Sequence, residues 1–353
     1  MEIYEYIFTA LLLVAVFAAA TYLAVTTPPL YRSVSEVDQL KIAAQKVMNN
    51  ILLNPGYPQD WGSNVSVKAE DLASFGLASY TTLTREAYVL DQDKVQRLRR
   101  EVPDPLYVPP SKVLDLLNLG LDYGIRLEFV PVLDVKVEAS QESSGFSVRV
   151  VVASEQGLPV EGANVVVAAV YVRNGSLTSS ESSCRTDASG VCTLRVESSL
   201  PALLITIVDY QGMRAINAST VGPGIHKSLV FGRSLVTNES TNLSNTTAYQ
   251  FFVPSGFGEA LEVKNVSCTL QHIDSTALGN YSVYDMGFEE PNLVAVVVML
   301  DDGHLLVAYK LVPKTYSSIA GEVHPPVSYT VERSVRIGLS HYNLRLTIWR
   351  MSW

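Results

Sequence analysis

Twenty consecutive residues without charge, Gly or Pro, Tyr6 to Val25 (YIFTALLLVAVFAAATYLAV), constrain this chain more than any other feature. A helix rises about 1.5 Å per residue, so this run matches a hydrocarbon core about 30 Å thick. Pro28 and Pro29 follow and end the helix. Tyr4, Tyr6 and Tyr22 stand near its ends, where amphipathic rings favour the membrane interface. Ala18-Ala19-Ala20 imitates a signal-peptidase site, but the preceding MEIYE carries Glu2 and Glu5 and no cation, the opposite of a secretory n-region. Residues 1–26 are therefore expected to be a retained transmembrane anchor.

The remaining chain has enough apolar residues for sizeable cores. Of 353 residues, 48% are hydrophobic and 17% charged, against about 25% charged in ordinary soluble domains. That excludes disorder. The net charge of −9 argues against nucleic acid, which requires a basic face to displace counterions from phosphates. Three cysteines are too few for a disulfide-built scaffold.

Orientation is set by two opposing signals. The cations nearest the span, Arg32, Lys41 and Lys46, follow it, and the positive-inside rule would hold them in the cytoplasm. Eight N-x-S/T sequons, at Asn64, Asn174, Asn217, Asn238, Asn242, Asn245, Asn265 and Asn280, also follow it. Chance gives about two or three for this composition, so the excess points to a glycosylated outer face. Long domains translocate largely regardless of loop charge, so the C-terminal part is expected outside the cell.

After the span, Ser33 to Leu53 reads as an amphipathic helix, with Val34, Val37, Leu40, Ala44, Val47, Met48 and Ile51 at three- and four-residue steps. Ser33 or Ser35 would cap it and Asn54-Pro55-Gly56 would end it. Tyr57 and Trp61 are placed to clamp that end against the next element. Two short helices are expected next: QDKVQRLRREV capped by Asp91, with Arg99-Arg100-Glu101 a solvated face, and KVLDLLNL capped by Ser111 and ended at Gly120. From Tyr123 the period changes to two. Ile125, Leu127 and Phe129 alternate with Arg126 and Glu128 up to Pro131, and valine-rich strands then follow to the C-terminus at sandwich-like spacing. The organisation read from these shifts is an anchor (1–26), a membrane-proximal α-rich segment (27–130), a β-sandwich (131–222) and a C-terminal β domain (223–353).

Residues 131–218 resemble an immunoglobulin-like β-sandwich of the carboxypeptidase-regulatory or bacterial Ig-like kind. The resemblance lies in Gly157-Leu158-Pro159-Val160-Glu161-Gly162-Ala163-Asn164-Val165, Thr186-Asp187-Ala188-Ser189-Gly190 with Cys192-Thr193-Leu194, and Pro201-Ala202 before Ile205-Thr206-Ile207-Val208. TDASGV reads as a hairpin turn whose Gly takes positive φ. More loosely, the N-terminal part resembles archaeal membrane-anchored, pilin-like proteins. The shared features are the apolar run with Glu5, the amphipathic helix, LNPGYPQDW at residues 53–61, and the late segments LDYGIRLEFVP and SVRIGLSHYNLRLTIW. The pilin resemblance implies that Glu5 pairs with a neighbouring α-amino group during assembly, although the basic leader of processed pilins is lacking. Both resemblances imply spacing, presentation or assembly.

No catalytic, cofactor-binding or metal motif emerges. There is no nucleophile elbow, Walker loop, H-E-x-x-H or dinucleotide fingerprint. His226, His272, His304, His324 and His341 show no ligand spacing, and Asp301-Asp302-Gly303-His304 reads as a type I′ hairpin turn ahead of a metal site. Pro254-Ser255-Gly256-Phe257-Gly258 reads as a turn with no helix behind it. Cys184 and Cys192 flank the TDASG turn, within reach of a disulfide across a hairpin, while Cys268 is expected buried. Asn238 to Thr247 is read as an exposed polar loop, and Tyr249 and Phe251 as one face of a core strand. The expected function is a single-pass structural or interaction protein of the cell surface, using no cofactor, with the membrane, copies of itself or other surface proteins as partners. Capture of a carbohydrate or other solute is the alternative, and an extracellular hydrolase stands behind it.

Overall fold

The computed structural model describes residues 2–26, 30–80, 88–142, 145–238, 242–254, 261–273, 278–318 and 327–351, with the side chains of 2–6, 23–26, 30–36 and 121 excepted. Helix α1 spans Glu2–Thr26 and α2 Leu30–Leu53, so α2 starts before the expected caps at Ser33 and Ser35. Leu40, Ala44, Val47, Met48 and Ile51 of the predicted stripe of α2 are buried, joined by Leu52, whereas Val37 is exposed and the Val34 side chain lies outside the described residues. Trp61 is fully buried, donates its indole N–H to the Pro55 carbonyl (3.1 Å) and packs on Phe75, locking the helix end. Tyr57, expected to share that work, is exposed. Gly56 adopts φ +78°, and a Cβ there would meet the Trp61 indole nitrogen at 2.7 Å.

A short strand, β1 (Val89–Leu90), leads into α3 (Gln92–Gln96), α4 (Pro110–Leu116) and β2 (Tyr123–Pro131). Asp91 caps α3 by accepting from the N–H groups of Asp93 and Lys94, but α3 stops five residues short of Glu101. The cause is Arg97, which turns inward to donate to the carbonyls of Gly62, Asn64 and Val67. In α4 the cap is Pro109 and not Ser111, because Pro110 is already the first helical residue. The segment 27–130 is thus helical chiefly in α2.

The two sheets that follow face one another. Strands β3 (Leu133–Glu142), β4 (Gly145–Ser154), β5 (Asn164–Arg173), β6 (Ser176–Arg185), β7 (Val191–Glu197), β8 (Ala202–Tyr210) and β9 (Met213–Val221) form the orders β3-β4-β7 and β6-β5-β8-β9. Phe146, Val148, Val150, Val152, Val165, Val167, Leu194 and Leu204 fill the space between them. The TDASG turn is not a hairpin within one sheet: β6 and β7 lie in different sheets, so the turn crosses the sandwich. Gly190 there adopts φ +73°, where a Cβ would meet the Val152 carbonyl at 2.5 Å.

The next strands are β10 (Ile225–Phe231), β11 (Ser234–Thr237), β12 (Thr247–Phe252), β13 (Lys264–Thr269), β14 (Gln271–Ile273), β15 (Ser282–Asp285), β16 (Leu293–Met299) and β17 (Leu305–Tyr309), in the order β13-β12-β16-β17-β10-β11-β15-β14. Only Leu270 separates the two edge strands, so they are successive parts of one strand and the sheet closes on itself as a barrel. Leu270, Ala248, Val296, Val298, Leu306 and Tyr284 occupy its interior. Gln250 is fully buried there, donating to the Phe288 carbonyl and accepting from the Glu290 N–H, both at 2.9 Å. Asp301–His304 form the turn between β16 and β17, which pair antiparallel.

The barrel's outer face supplies Phe251, Ala295, Val297, Leu305 and Val307 to a second core with Val166, Ala168, Val170, Leu203, Ile205 and Ile207. This buries the second face of the β5–β8 sheet and explains why both strands are apolar without alternation. Tyr249 packs half-buried against the same cluster.

The chain then returns. Strands β18 (Thr315–Ser317), β19 (Ser328–Ile337) and β20 (Ser340–Arg350) join the first strands in the order β1-β19-β20-β2-β18. This sheet and α2 share one core that includes Leu346, Ile348, Ile125, Leu127 and Met48. The barrel starts at Ile225, close to the boundary expected at residue 223, and its last strand ends at Tyr309, whereas β18, β19 and β20 join the N-terminal unit, with all nine residues of β2 paired to β20.

Candidate functional site

The N-terminal unit meets both β units at one junction, and charged side chains gather there. Asp93, Lys94 and Arg97, which are buried, and the half-buried Asp91 come from α3 and its flanks, while Glu289, its side chain 31% exposed, precedes β16 and Lys310 follows β17. Lys310 lies 2.9 Å from Asp93 and also pairs with Glu289. The other carboxylate oxygen of Asp93 accepts from the Gly232 N–H at 3.0 Å. Burial pulls the Lys310 ammonium down, but the carboxylates of Asp93 and Glu289 outweigh it and hold it above the usual lysine value. Burial raises Glu289 against the opposing pull of Lys310. Burial also raises Asp91, with the charge of Asp93 adding to it.

Lys94 is fully buried, donates to the Ala78 carbonyl (3.1 Å) and is held below the usual lysine value by desolvation. The Arg97 guanidinium lies 6.0 Å over the Trp61 ring and 5.7 Å over the Phe231 ring, and burial lowers it to about 10. Gln96 completes the clamp by donating to the Val230 carbonyl and accepting from the Leu311 N–H. Lys310 bridges Asp93 and Glu289, and with the Gly232 N–H on Asp93 it docks the barrel to the N-terminal unit. Sequence reasoning missed it, since QDKVQRLRREV reads only as a helix with Arg99-Arg100-Glu101 as its solvated face.

The tip of the β19–β20 hairpin makes the contact with the sandwich. Ser340 accepts from the Ile216 N–H (3.0 Å), and His341 Nδ1 accepts from the Arg214 N–H (3.1 Å), which covers the free edge of β9. Arg345 and Asn343 both engage Glu155. A cavity of about 180 Å³ lies between hairpin, sandwich and barrel, lined by Gln92, Asn217, Asn292, Lys310 and Tyr342 among others. Burial raises the Tyr342 phenol to about 12. A groove of about 620 Å³ runs between α2 and the turn after α4, lined by Val47, Leu116, Leu117, Leu119 and Tyr123.

The residues singled out from sequence fall elsewhere. Cys184 and Cys192 are joined by a disulfide across the two sheets of the sandwich, their Cα atoms 6.3 Å apart, and Cys268 is buried. Asn174, Asn238, Asn242, Asn245, Asn265 and Asn280 are exposed. Asn64 and Asn217 are half-buried, with Nδ2 donating to Asp60 (2.9 Å) and to the Val135 carbonyl (3.1 Å) respectively. The side chain of Glu5, His324 and residues 255–260 lie outside the described residues. The His226 and His304 rings stand 5.6 Å apart, and His304 Nδ1 is 2.8 Å from Asp302. Among the described residues, no group of three or more His, Cys, Asp and Glu is placed to hold a metal.

On α1, every described side chain from Ile7 to Tyr22 is exposed, including Phe8, Leu11, Val14 and Phe17, each above 60%. Among the described residues, no helix is long and apolar enough to cross a membrane; on α1 these cover sixteen side chains. No protein-family model matches the chain, and no curated protein matches it.

Proposed function

We propose that this chain is a single-pass structural or interaction protein of the cell surface, anchored by α1 with its β units outside. One observation carries the reading: sixteen consecutive exposed, largely apolar residues on one helix, Ile7 to Tyr22. Such a patch exceeds what a soluble monomer leaves uncovered, so lipid or other protein must cover it. The uncharged run from Tyr6 to Val25 lies wholly within the one helix Glu2–Thr26, long enough for a hydrocarbon core of about 30 Å.

The strand orders β3-β4-β7 and β6-β5-β8-β9 support the immunoglobulin-like reading of the sandwich. The packing of α2 on the sheet of β1, β19, β20, β2 and β18 supports the pilin-like reading of the N-terminal unit. In this proposal α1 fixes the molecule, the sandwich and barrel extend from it, and their surfaces make assembly or adhesion contacts. The junction serves mechanically, holding the β units at a set angle to the anchor.

The test is extraction of native membranes at alkaline pH, followed by protease treatment of intact cells. The full chain should stay in the pellet, and a Leu13→Arg/Val14→Arg variant should move to the supernatant. Protease should cut the β units from outside. A full-length chain that is released without detergent overturns the anchor, and β units protected in intact cells overturn the orientation.

A further inference from the structure

The sandwich and the barrel each have two ends; polar contacts join the N-terminal unit to one end of each, and Val102 and Leu106 share a core with Phe231, Val236, Leu278 and Val283 along the barrel's flank. In the sandwich, β5 begins at Asn164, paired with Asp209, whose neighbour across β9 is Arg214, the residue held by His341. The opposite end is the Asn174-Gly175 turn, ten strand residues away, or about 30 Å. In the barrel, the near end carries Gly232, Glu289 and Lys310, which meet Asp93 directly or through Lys310. The far end carries the starts of β10, β12, β15 and β17 and the end of β11, as the pairings Thr237↔Ser282 and Ala248↔Val298 require. β9 leaves the sandwich at Val221, paired with Ala202 beside the Asn174 turn, and enters this same far end.

Seven of the eight sequons divide along this axis; the eighth, Asn265, is exposed on β13 opposite Phe251, towards the near end of the barrel. Asn174 sits on the far sandwich turn. Asn238 follows β11, Asn242 and Asn245 precede β12, and Asn280 precedes β15, all at the far end of the barrel. All five are exposed. Asn242 Oδ1 accepts from the Ser244 N–H (2.9 Å), so the carbonyl side of this amide is held by the chain. The two half-buried sequon asparagines are held by neighbouring segments. Asn217 is on the β9 segment that the hairpin tip covers, lines the junction cavity and spends Nδ2 on Val135. Asn64 spends Nδ2 on Asp60, while its carbonyl accepts from the buried Arg97.

We infer that N-linked oligosaccharide is attached selectively at exposed end loops of the sandwich and the barrel, at Asn174, Asn242, Asn245 and Asn280 with Asn238 beside them, while Asn217 stays bare. The donor class is a lipid-pyrophosphate-linked oligosaccharide. The Asn Nδ2–C1 bond forms, the C1–O bond to pyrophosphate breaks, one amide proton leaves, and the lipid pyrophosphate departs with no redox change. The transferase is external to this chain. A sugar on Asn217 cannot coexist with the docked hairpin, whichever of folding and transfer comes first. The result is a hydrated cap over the far ends of sandwich and barrel, which leaves protein contacts to their flanks.

This inference rests on the outward orientation proposed above. The test is glycopeptide mass mapping of the full chain purified from its native membrane, before and after enzymatic deglycosylation. Expected are oligosaccharide masses on the peptides bearing Asn174, Asn242, Asn245 and Asn280, and an unmodified Asn217. Single Asn242→Gln, Asn245→Gln and Asn280→Gln variants should each remove one glycan mass, and Asn217→Gln none. Bare asparagines at positions 242, 245 and 280 in protein whose β units are protease-accessible from outside would overturn the cap alone, as would a glycan on Asn217 in folded chain. The same bare asparagines in protein with protected β units would overturn the orientation as well.

Discussion

Replacing Lys310 with Met tests whether buried charge holds the barrel to the anchor-bearing unit. The ammonium lies 2.9 Å from Asp93 and also pairs with Glu289, with its side chain 6% exposed. At an effective dielectric of about 20, one such contact is worth about 6 kcal/mol of gross attraction. Desolvation cancels much of this, and removing one partner of a buried pair typically costs about 3–5 kcal/mol because a charge is left uncompensated. We expect a loss in that range at pH 7, read by urea unfolding of the full chain in detergent micelles. The fluorescence of Trp61, buried beside Arg97 and Phe75, reports the N-terminal unit.

The pH dependence has a definite sign. Lys310 is raised in the folded state, so its stabilisation is complete below the ordinary value of 10.5 and is lost as pH climbs past that towards the raised folded value. In Lys310→Met the orphaned carboxylates take up protons more readily when folded than when unfolded. Their penalty is therefore present above the ordinary carboxylate range and relieved as pH falls into it. The deficit should shrink between pH 7 and pH 4. The triple variant Lys310→Met/Asp93→Asn/Glu289→Gln should recover most of the loss. A single-variant loss under about 1 kcal/mol that does not change with pH would refute the clamp.

Three further outcomes follow from particular contacts. Gln250→Leu adds apolar volume to the barrel interior yet should destabilise by about 2–4 kcal/mol, since the Phe288 carbonyl and Glu290 N–H lose their buried partners; an unchanged urea midpoint would contradict this. Reducing Cys184–Cys192 reopens a loop closed over a separation of eight residues, and should cost about 2 kcal/mol, measured as a shift in midpoint with and without reductant. Ser340→Ala/His341→Ala removes two acceptors from the β9 edge and should speed amide exchange at Arg214 and Ile216 well above that at neighbouring β8 amides. Equal protection in variant and parent would show that the hairpin tip is not what covers the edge.

The strands legible in the sequence were those with apolar content to bury: VVVAAV, LLITIV, VAVVVM and LRLTIW all appear as core strands. Those that escaped notice are polar edges and short closures. Strand β6 reads SLTSSESSC and exposes alternate Ser and Glu side chains, so only its pairing with β5 makes it a strand. Strands β13 and β14 total nine residues, with Leu270 between them, and are too short and polar to be read as strands without their pairings to β12 and β15. Helix α3 was read too long because its sequence favours helix, while three backbone carbonyls recruit Arg97 into the interior.

What the sequence determined by itself was local or additive: the apolar run of α1, the buried stripe of α2, the β-rich remainder and the positions of the sequons. Each follows from periodicity, composition or a short motif, and needs no partner to be recognised. The tertiary structure alone decided which strands share a sheet. It returned β18, β19 and β20 to the N-terminal unit, closed the barrel at Leu270, buried the second face of β5 and β8, and gathered Asp93, Glu289 and Lys310 across nearly 220 residues of chain. Those pairings are between distant segments, and their free energy comes from burial and charge neutralisation that exist only once both partners are in place.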